Sequence, residues 1–440
     1  MKATKYWFDF SMDDQTFLYN AMTNALAIIE QDKLNSFKQF VSTGAPITDE
    51  RLISDLREGG FLVEDDYDEI KMLRMRLLSS RFNSSSFGMT LAPTSDCNFR
   101  CIYCYERDVL RPSYMKKDVQ DAIVQELESR AQNIRSFSVS WYGGEPLLAL
   151  DIIRELSNRF IQICDEHNIV YSAGIITNGY LLTPDVVTEL TKYHVNFYQI
   201  TIDGTRETHN KSRPLRNGNG TYDRIFENLQ NCIDLLPMVS LRINVSKNNV
   251  TAINDISDKI CALGLEKKVK PYLGKITNDT NDPILAPICF STEEFSKVDL
   301  AYTMSHVDTL DWFQKYPSLK GHFCGADASS GVVVDSDGEM YRCWNEIGNT
   351  QFSIGNIVTG AFKNQKHFFD YMDFDPTHDL ECSTCKVLPL CMGGCPYHRL
   401  IGDKDGQCSE YKENLKEYLM AIARQILLQK EKDFQESDKQ

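Results

Sequence analysis

Three cysteines lie close together in residues 96–106, DCNFRCIYCYE, and their spacing is C-x3-C-x2-C. Cysteine thiolates hold iron–sulfur clusters, and a cubane [4Fe–4S] cluster needs four ligands. Cys97, Cys101 and Cys104 can therefore bind three corners of one cubane and leave the fourth iron open to another ligand. A closed zinc site would need a fourth ligand, usually cysteine or histidine, and this loop holds neither.

Seven more cysteines are concentrated between residues 323 and 410. They are Cys324, Cys343, Cys382, Cys385, Cys391, Cys395 and Cys408, and four of them form the run C-x2-C-x5-C-x3-C. Seven thiols cannot all bind one cubane, so they suggest one site with four thiol ligands and one with three. Pairs of the type C-x2-C also bind zinc, and the spacing alone leaves zinc and iron–sulfur as equal alternatives.

The first cysteine loop lies in a region where strands and helices are predicted to alternate. Apolar, β-rich runs occur at 87–94, 136–143, 170–179, 196–204, 241–246 and 269–276. Amphipathic segments such as 118–134, 150–167 and 222–236 lie between them. The alternation predicts an α/β fold with a parallel sheet, open or curved as a partial (βα)6 barrel. Functional groups of such folds lie on loops after the carboxyl ends of strands, where the three cysteines fall.

Residues 1–85 are predicted to form a small α+β domain. A strand is followed by two helices, a short strand or wing, and a third helix, an order that resembles a winged helix-turn-helix. The segment has 10 Lys+Arg against 14 Asp+Glu, which disfavours DNA binding and favours a peptide-binding or structural role. We place the other domain limits at 86–280 for the strand–helix region, 281–322 for a bridge, 323–410 for the cysteine-rich domain and 411–440 for a terminal helix and tail.

The composition restricts the class of protein. Of the 440 residues, 42% are hydrophobic and 25% charged, as in ordinary globular proteins, and the formal net charge of −15 disfavours nucleic-acid partners. No run of 18 apolar residues and no signal peptide is apparent, which predicts a cytoplasmic location and no membrane partner. Clustered cysteines in such a chain indicate metal or redox chemistry, not disulfides. Outside the clusters, Cys164, Cys232, Cys261 and Cys289 are predicted to be small buried apolar residues.

The cysteine loop reads C-x3-C-x-aromatic-C, with Tyr103 as the aromatic residue. This pattern resembles the signature of radical S-adenosylmethionine (SAM) enzymes. The resemblance implies that the open iron chelates the amino and carboxylate groups of SAM. It also implies that an electron from the cluster cleaves the sulfonium, and that the resulting 5′-deoxyadenosyl radical abstracts a hydrogen atom. The cofactor then carries the difficult chemistry, while the protein positions it and excludes water.

The segment WYGGEP, after the second predicted strand, resembles the GGE motif of the same family. The resemblance places Gly143, Gly144 and Glu145 against the amino group of the methionine moiety. Glycines allow the backbone to approach a ligand, and a carboxylate can accept a hydrogen bond from an ammonium group. The motif is short, and a plain tight turn is the alternative interpretation.

Three further segments resemble parts of the family's cofactor site. ITNGYLL resembles a TNG segment that would place Asn178 near the cofactor, with a structural turn as the alternative. ITIDG makes Thr201 and Asp203 candidates for the ribose or the methionine moiety. Arg213, in HNKSRP, is a candidate partner of the SAM carboxylate, with a solvated surface arginine as the alternative.

The C-terminal cysteines resemble the SPASM extension of radical SAM enzymes, which carries two auxiliary [4Fe–4S] clusters. The segment GEMYRCW, in which Gly338 precedes Cys343 by five positions, resembles a glycine-then-cysteine element of that extension. The resemblance assigns Cys382, Cys385, Cys391 and Cys408 to an outer cluster and Cys324, Cys343 and Cys395 to an inner one. No cysteine lies between Cys324 and Cys343. The inner cluster is therefore expected to keep an open iron for a substrate thiolate, unless Cys289 supplies the missing ligand.

The whole chain resembles a radical SAM/SPASM peptide maturase of the ranthipeptide or sactipeptide synthase type. The resemblance implies a ribosomally synthesised precursor peptide, whose leader residues 1–85 would bind by strand addition. It also implies three [4Fe–4S] clusters and an electron donor such as flavodoxin or ferredoxin. The expected product is an intramolecular thioether from a cysteine sulfur to a carbon.

Other products and one other class of protein remain open at this point. Carbon–carbon crosslinking and formylglycine formation of the anaerobic sulfatase-maturating type are the alternative reactions. An iron–sulfur sensor that binds DNA through a winged helix is the non-catalytic alternative, which the acidic N-terminal segment disfavours. The sequence does not identify a catalytic acid or base.

Overall fold

The computed structural model describes residues 1–279, 282–306 and 316–437, with side chains described up to residue 429. The predicted bridge at 281–322 and the predicted tail therefore lie partly outside the described residues, at 281, 307–315 and 438–440. The chain divides into two compact units, and each contains more than one segment. The first unit comprises Met1–Arg81, Thr292–Phe323 and Phe374–Gln440, and the second comprises Phe82–Ser291 and Cys324–Asp373.

The first unit begins with short strands followed by helices. Its elements are β1 (Lys2–Ala3), β2 (Trp7–Met12), β3 (Gln15–Asn20), β4 (Ala25–Ile29), α1 (Gln31–Thr43), α2 (Glu50–Glu58), β5 (Leu62–Val63) and α3 (Glu69–Arg81). Strands β2, β3 and β4 form an antiparallel sheet in that order, and β1 pairs with β5. The tight turn between β2 and β3 has Asp13 and Asp14 at positive φ, which suits a two-residue hairpin turn. The sequence predicted β2, the three helices and the short wing strand β5, and it missed β1, β3 and β4.

The second unit is built on a ten-stranded sheet that is mostly parallel. Its first six strands are β6 (Ser86–Leu91), β7 (Ser136–Trp141), β8 (Val170–Thr177), β9 (Val195–Thr201), β10 (Val239–Val245) and β11 (Val269–Lys275). They are parallel and neighbours in chain order. The helices that alternate with them are α4 (Lys117–Arg130), α5 (Leu150–His167), α6 (Pro184–Lys192), α7 (Arg206–Ser212), α8 (Tyr222–Cys232) and α9 (Asn254–Ala262). The predicted α/β fold with a parallel sheet is confirmed.

The sheet continues beyond β6 through strands from the later part of the chain. After α10 (Thr292–Ser305), which belongs to the first unit, come β12 (Gly331–Val334), β13 (Glu339–Tyr341), β14 (Gly355–Asn356) and β15 (Ala361–Phe362). Strand β12 pairs with β6 in parallel, and the remaining three follow in antiparallel pairs. The cysteine-rich region therefore contributes four strands to the main sheet, which the sequence analysis did not predict.

The end of the chain is helical. It contains α11 (Gln365–Met372) in the second unit, then α12 (Leu388–Cys391), α13 (Pro396–Leu400), α14 (Lys404–Gln407) and α15 (Tyr411–Ser437) in the first. One hydrophobic core of the first unit joins Tyr19 of the antiparallel sheet, Leu77 of α3, Leu390 of α12 and Leu419 of α15. The four-cysteine run is thereby anchored to the N-terminal sheet. Among the described residues, no helix combines the length and the apolar composition that crossing a bilayer requires.

Candidate functional site

The three-cysteine loop follows β6 and is held by a partner segment. Backbone hydrogen bonds run from Ile102 N to Ser212 O (3.0 Å), from Arg100 N to Pro214 O (2.8 Å) and from Arg216 N to Asn98 O (2.8 Å). Residues 98–102 therefore pair in an antiparallel direction with residues 212–216. The loop that carries the thiols is fixed at several points, so the three thiols are held in place as metal ligands before any cofactor binds.

The three thiols are half-buried and lie close to one another. Burial raises the pKa of Cys97 to about 12, and it also raises the pKa of Cys101 and Cys104. Each of Cys97 and Cys104 also feels the charge of Cys101, while Arg213 is the main opposing influence at Cys101. Thiols in such surroundings are proton-bound unless a metal compensates their charge. None of the fourteen described cysteines forms a disulfide, and the described side chains contain no group of three His, Cys, Asp or Glu that could hold a single metal ion.

The glycine turn after β7 packs directly on the chain that leads into Cys97. A Cβ atom at Gly144 would lie 2.2 Å from the backbone oxygen of Asp96 and 3.3 Å from Cβ of Cys97. Gly143 has φ +97°, and a Cβ there would lie 2.7 Å from Cβ of Ala92. Both positions require glycine, because a side chain at 144 would displace the segment that leads into Cys97 and one at 143 would collide with Ala92. The turn is therefore part of the cysteine site and more than a plain reversal of the chain.

Glu145 is fully buried and joins the ends of two strands. One carboxylate oxygen accepts hydrogen bonds from Leu147 N (3.0 Å) and Thr177 Oγ1 (2.7 Å), and the other accepts from Asn178 N (2.8 Å). Burial raises the pKa of Glu145, while these bonds oppose the rise. Asn178 in turn donates from Nδ2 to Oδ1 of Asn98 in the cysteine loop, at 2.8 Å. The structure thus brings Glu145 and Asn178 to the loop, and their contact with SAM stays a prediction.

Tyr103 is the centre of a buried polar network. Its hydroxyl donates to Asp203 Oδ2 and accepts from Arg213 Nη1 (2.7 Å) and Asn244 Nδ2 (2.9 Å). Burial raises the pKa of Tyr103 and of Asp203, and the charge of Arg213 opposes both shifts. Arg213 is only 7% exposed, so the interpretation as a surface arginine is wrong. Its buried Nε has no hydrogen-bond partner among the described residues, which leaves a donor for a ligand oxygen.

His209 supports this network and was missed by the sequence analysis. Its Nδ1 accepts the Asp203 N–H at 3.1 Å, and its Nε2 lies 3.0 Å from Thr221 Oγ1, which donates to the backbone oxygen of Arg213. Burial lowers the pKa of His209 well below its usual value, so the ring is neutral at neutral pH. Thr201, the other predicted residue here, ends β9 and is aligned with Arg242 of β10.

Tyr105 and Glu106 directly follow the third cysteine, and Tyr142 contacts Tyr105. The hydroxyls of Tyr105 and Tyr142 are hydrogen-bonded to each other, and the Tyr142 ring stacks on Trp344 at 5.5 Å. Burial raises the pKa of Glu106 to about 7. Trp344 directly follows Cys343, so an aromatic contact connects the glycine turn beside the first cysteine loop with the turn that begins at Cys343.

Cys324 and Cys343 begin similar turns in the second unit. The backbone N–H of Cys324 donates to Asp327 Oδ1 at 2.9 Å, and that of Cys343 donates to Glu346 Oε2 at 3.4 Å. The buried guanidinium of Arg342 ties the two turns together, because it donates to four backbone oxygens that follow Cys324. These oxygens belong to Gly325, Ala326, Ala328 and Gly331. The remaining predicted inner ligand, Cys395, belongs to the first unit, and the set of three stays a prediction.

The four predicted outer ligands lie together in the first unit. Cys391 feels the charges of Cys408 and Cys385, and Cys382 feels those of Cys391 and Cys385. Gly394 makes this arrangement possible, because a Cβ there would lie 2.0 Å from the backbone oxygen of Gln407. The adjacent N–H of Cys395 donates to that same oxygen at 2.8 Å.

Gly394→Ala is therefore expected to separate Cys408 from the other thiols and to remove about four irons per chain. Gly402→Ala is the matched control, since Gly402 has φ +77° against +74° for Gly394 but nothing within 4 Å of its Cβ position. Iron and sulfide analysis of the reconstituted variants measures the effect. An unchanged iron content in Gly394→Ala would argue against the outer ligand set.

The family model of the radical SAM superfamily matches residues 91–259, which hold the cysteine loop, the glycine turn and the Tyr103 network. This part of the chain is a radical SAM domain. Members of this superfamily use SAM and a [4Fe–4S] cluster, and the thiols, the glycine turn and the unpartnered Arg213 Nε fit such a pair. The prediction of an enzyme is confirmed, and the predicted SAM and [4Fe–4S] cluster are those that members of the superfamily use. The residues that hold them and the number of auxiliary clusters stay predictions.

Relatives resemble the chain well beyond the radical SAM domain. The cysteine-type anaerobic sulfatase-maturating enzyme of Clostridium novyi is 26% identical over 70% of this chain and 88% of its own. The radical SAM cyclopropyl synthase TigE of Paramaledivibacter caminithermalis is 24% identical over 82% of this chain and 80% of its own.

Two solved structures share the fold. Native anSMEcpe with bound AdoMet and Kp18Cys peptide has a TM-score of 0.58 at 19% identity, over 78% of this chain and 99% of its own. Streptococcus suis SuiB bound to precursor peptide SuiA has a TM-score of 0.52 at 13% identity, over 93% of this chain and 98% of its own.

Proposed function

We propose that the protein installs intramolecular thioether crosslinks, from a cysteine sulfur to a carbon, in a ribosomally synthesised precursor peptide. The observation that carries the proposal is that the first unit has two surfaces that could bind a peptide: the unpaired edge of a strand and an exposed apolar strip on a helix. Further cysteines outside the radical SAM domain accompany these surfaces. Relatives that are named maturases of sulfatases, and a fold neighbour solved with its precursor peptide, support a peptide substrate.

The free edge of β4 supports recognition of the leader by strand addition. Strand β4 pairs with β3 on one side, and no second partner strand is present among the described residues. Ile28 on this strand is 54% exposed. An exposed edge offers unpaired backbone groups to an extended peptide, which would add a fourth strand to the sheet. In a native protein such an edge is usually protected, so its exposure favours a partner.

The outer face of α3 offers an apolar surface in the same unit. Met72, Met75 and Leu78 are 46%, 60% and 38% exposed and recur every three residues, while Leu73 and Leu77 on the other face are fully buried. Such an exposed strip usually marks a site of interaction, and methionines adapt to varied side chains. Because acidic residues exceed basic ones in residues 1–85, a leader with basic residues would be favoured.

Peptide binding at α3 can be tested independently of catalysis. The double variant Met72→Ser/Met75→Ser is expected to weaken binding of the fluorescently labelled precursor about tenfold, because both side chains lose apolar contact area. Met304→Ser in the same unit, where the methionine is 40% exposed outside the strip, is the control. Equal affinities of the two variants, measured by fluorescence anisotropy, would contradict the assignment of α3.

The residues of the radical SAM domain bind and orient the cofactor. Cys97, Cys101 and Cys104 would hold the cluster that supplies, with SAM, the radical that removes a hydrogen atom from the peptide. The glycine turn at 143–144 presents backbone close to the cysteine loop, and Arg213 offers its Nε to the SAM carboxylate. The buried Tyr103 network keeps this arginine in place and water out of the site.

The cysteines outside the radical SAM domain are assigned to two auxiliary clusters. Cys382, Cys385, Cys391 and Cys408 would hold an outer [4Fe–4S] cluster, and Cys324, Cys343 and Cys395 an inner one. An open iron of the inner cluster would bind the substrate thiolate, with Cys289 as the alternative fourth ligand. A flavodoxin or ferredoxin would supply the electron for SAM cleavage.

Formylglycine formation is the second candidate because a sulfatase-maturating enzyme is among the relatives. The anSMEcpe fold accounts for 78% of this chain and the SuiB fold for 93%, so a larger part of this chain has a counterpart in SuiB. Carbon–carbon crosslinking is the near alternative. If a short cysteine-containing peptide is encoded beside the gene, its co-expression with the enzyme, followed by mass spectrometry, distinguishes the three products.

A further inference from the structure

The side chain of Arg242 lies over a glycine of the neighbouring strand in the main sheet. It lies on β10, and its Nε donates to Oδ1 of Asn244, two residues further along the strand, at 2.7 Å. On β11, Gly274 is the neighbour of Asn244, and a Cβ at Gly274 would lie 2.5 Å from Arg242 Nε and 2.7 Å from Cζ. The missing side chain at position 274 is therefore what allows the guanidinium to lie over β11.

The guanidinium lies on the side of the sheet that carries the cofactor network. Asn244, which fixes it, also donates to the Tyr103 hydroxyl. The charge of Arg242 is felt at Asp203 and at Tyr142, where it favours the ionised form of each group. Arg242 is thus positioned among residues from the ends of β7, β9 and β10, within reach of a ligand bound at that end of the sheet.

No carboxylate of the described residues lies within ion-pair distance of Arg242, and of its guanidinium nitrogens only Nε has a hydrogen-bond partner among those residues. Its side chain is partly buried, so solvent replaces a partner only incompletely. A guanidinium presents paired donors whose geometry matches a carboxylate, and a charge held away from water is stabilised by such a counter-ion. The two terminal guanidinium nitrogens of Arg242 are therefore available to bind an anion.

We propose that Arg242 binds a carboxylate of the peptide substrate, from an Asp or Glu side chain near the residue that is modified. SAM has a single carboxylate, and Arg213 with its unpartnered Nε is the candidate for it, beside Cys101. Arg242 then remains for the second ligand of the site. This inference rests on the proposed function, since it requires that the substrate is a peptide.

A first experiment needs no knowledge of the precursor. With SAM present, ~50 mM N-acetyl-L-glutamate is expected to slow the reaction of phenylglyoxal with Arg242 roughly threefold, because a single ion pair binds in the millimolar range. N-acetyl-L-glutaminamide, which is uncharged, should give no protection, and the exposed Arg51 should react equally in all samples. Peptide mapping by mass spectrometry measures both sites. A lack of protection at Arg242 by the charged probe would overturn the proposal.

A second experiment uses the precursor that co-expression identifies. Replacement of the recognised acidic residue by its amide is expected to weaken precursor binding to the wild-type enzyme more than tenfold, but less than about twofold in the Arg242→Gln variant. The SAM dissociation constant should stay within about twofold in Arg242→Gln, and Arg242→Lys should recover part of the peptide affinity. Additive effects at all acidic positions, or a loss of SAM affinity in place of peptide affinity, would contradict the assignment. If no peptide is modified, the proposed function fails, while the phenylglyoxal result still decides whether Arg242 is a carboxylate site.

Discussion

Cys101→Ala is expected to abolish the reductive cleavage of SAM, with at least a ~1,000-fold loss of 5′-deoxyadenosine formation, because the cluster that delivers the electron loses a ligand. Cys101 is the central thiol of its loop, and Arg213 is the main charge acting on it. The backbone bonds that pair residues 98–102 with 212–216 do not involve its side chain. The variant should therefore fold and lose about four irons while the two C-terminal cysteine sets keep theirs.

The matched control is Cys261→Ser, since Cys261 on α9 is exposed and the prediction that it is a buried residue is wrong. Chromatography of 5′-deoxyadenosine after reduction with dithionite, together with iron analysis, measures both effects. Full cleavage activity in Cys101→Ala would show that the electron does not come from this loop. Loss of all iron would instead indicate that the variant is misfolded, which circular dichroism would reveal.

Gly144→Ala is expected to weaken SAM binding more than about tenfold, because the added methyl group cannot fit against the backbone oxygen of Asp96. The collision distance of 2.2 Å requires the turn or the Cys97 segment to move, and both belong to the cofactor site. Displacement of the turn also disturbs Glu145, whose backbone N–H donates to the same Asp96 oxygen at 2.9 Å.

Gly264→Ala provides a strict control for this variant. Gly264 has φ +68°, a left-handed backbone conformation that alanine adopts less readily than glycine. Nothing lies within 4 Å of its Cβ position. The control therefore carries the greater backbone strain and lacks the collision. Equilibrium dialysis with labelled SAM should show normal affinity for Gly264→Ala and weak binding for Gly144→Ala. Equal affinities would mean that the glycine turn only reverses the chain.

The parts of the fold with strong local patterns could be predicted from the sequence. The six parallel strands from β6 to β11 are apolar runs separated by amphipathic helices, and each lies within a few residues of its expected position. Strands β12 to β15 have only two to four residues, too few to show a periodic pattern, so they depend on pairing with β6 and with one another. Strands β3 and β4 were missed because the β2–β3 turn uses Asp and the β3–β4 turn uses Asn at positive φ, and neither has the more easily recognised Asn-Gly.

The site residues also divide into those with a local sequence pattern and those that depend on the packing of distant segments. The cysteine loop is contiguous, so its spacing alone indicates a cluster that leaves one iron open. Arg242 and His209 act through register and packing, because Arg242 needs Gly274 on another strand and His209 reaches Asp203 across a turn. Neither residue has a sequence signal of its own. Gly394 is a similar case, since its close approach to Gln407 depends on how the segment before Cys408 returns to the cysteine run.

The mass of the co-expressed precursor peptide tests the central claim most directly. Wild-type enzyme is predicted to remove two hydrogen atoms per crosslink and to leave the modified cysteine unreactive towards iodoacetamide, whereas the Cys101→Ala variant should leave the peptide unchanged. Loss of two hydrogens with all cysteines still alkylated would indicate a carbon–carbon crosslink. Exchange of the cysteine sulfur for oxygen with loss of two hydrogens would identify formylglycine, and either of these products would contradict the thioether assignment.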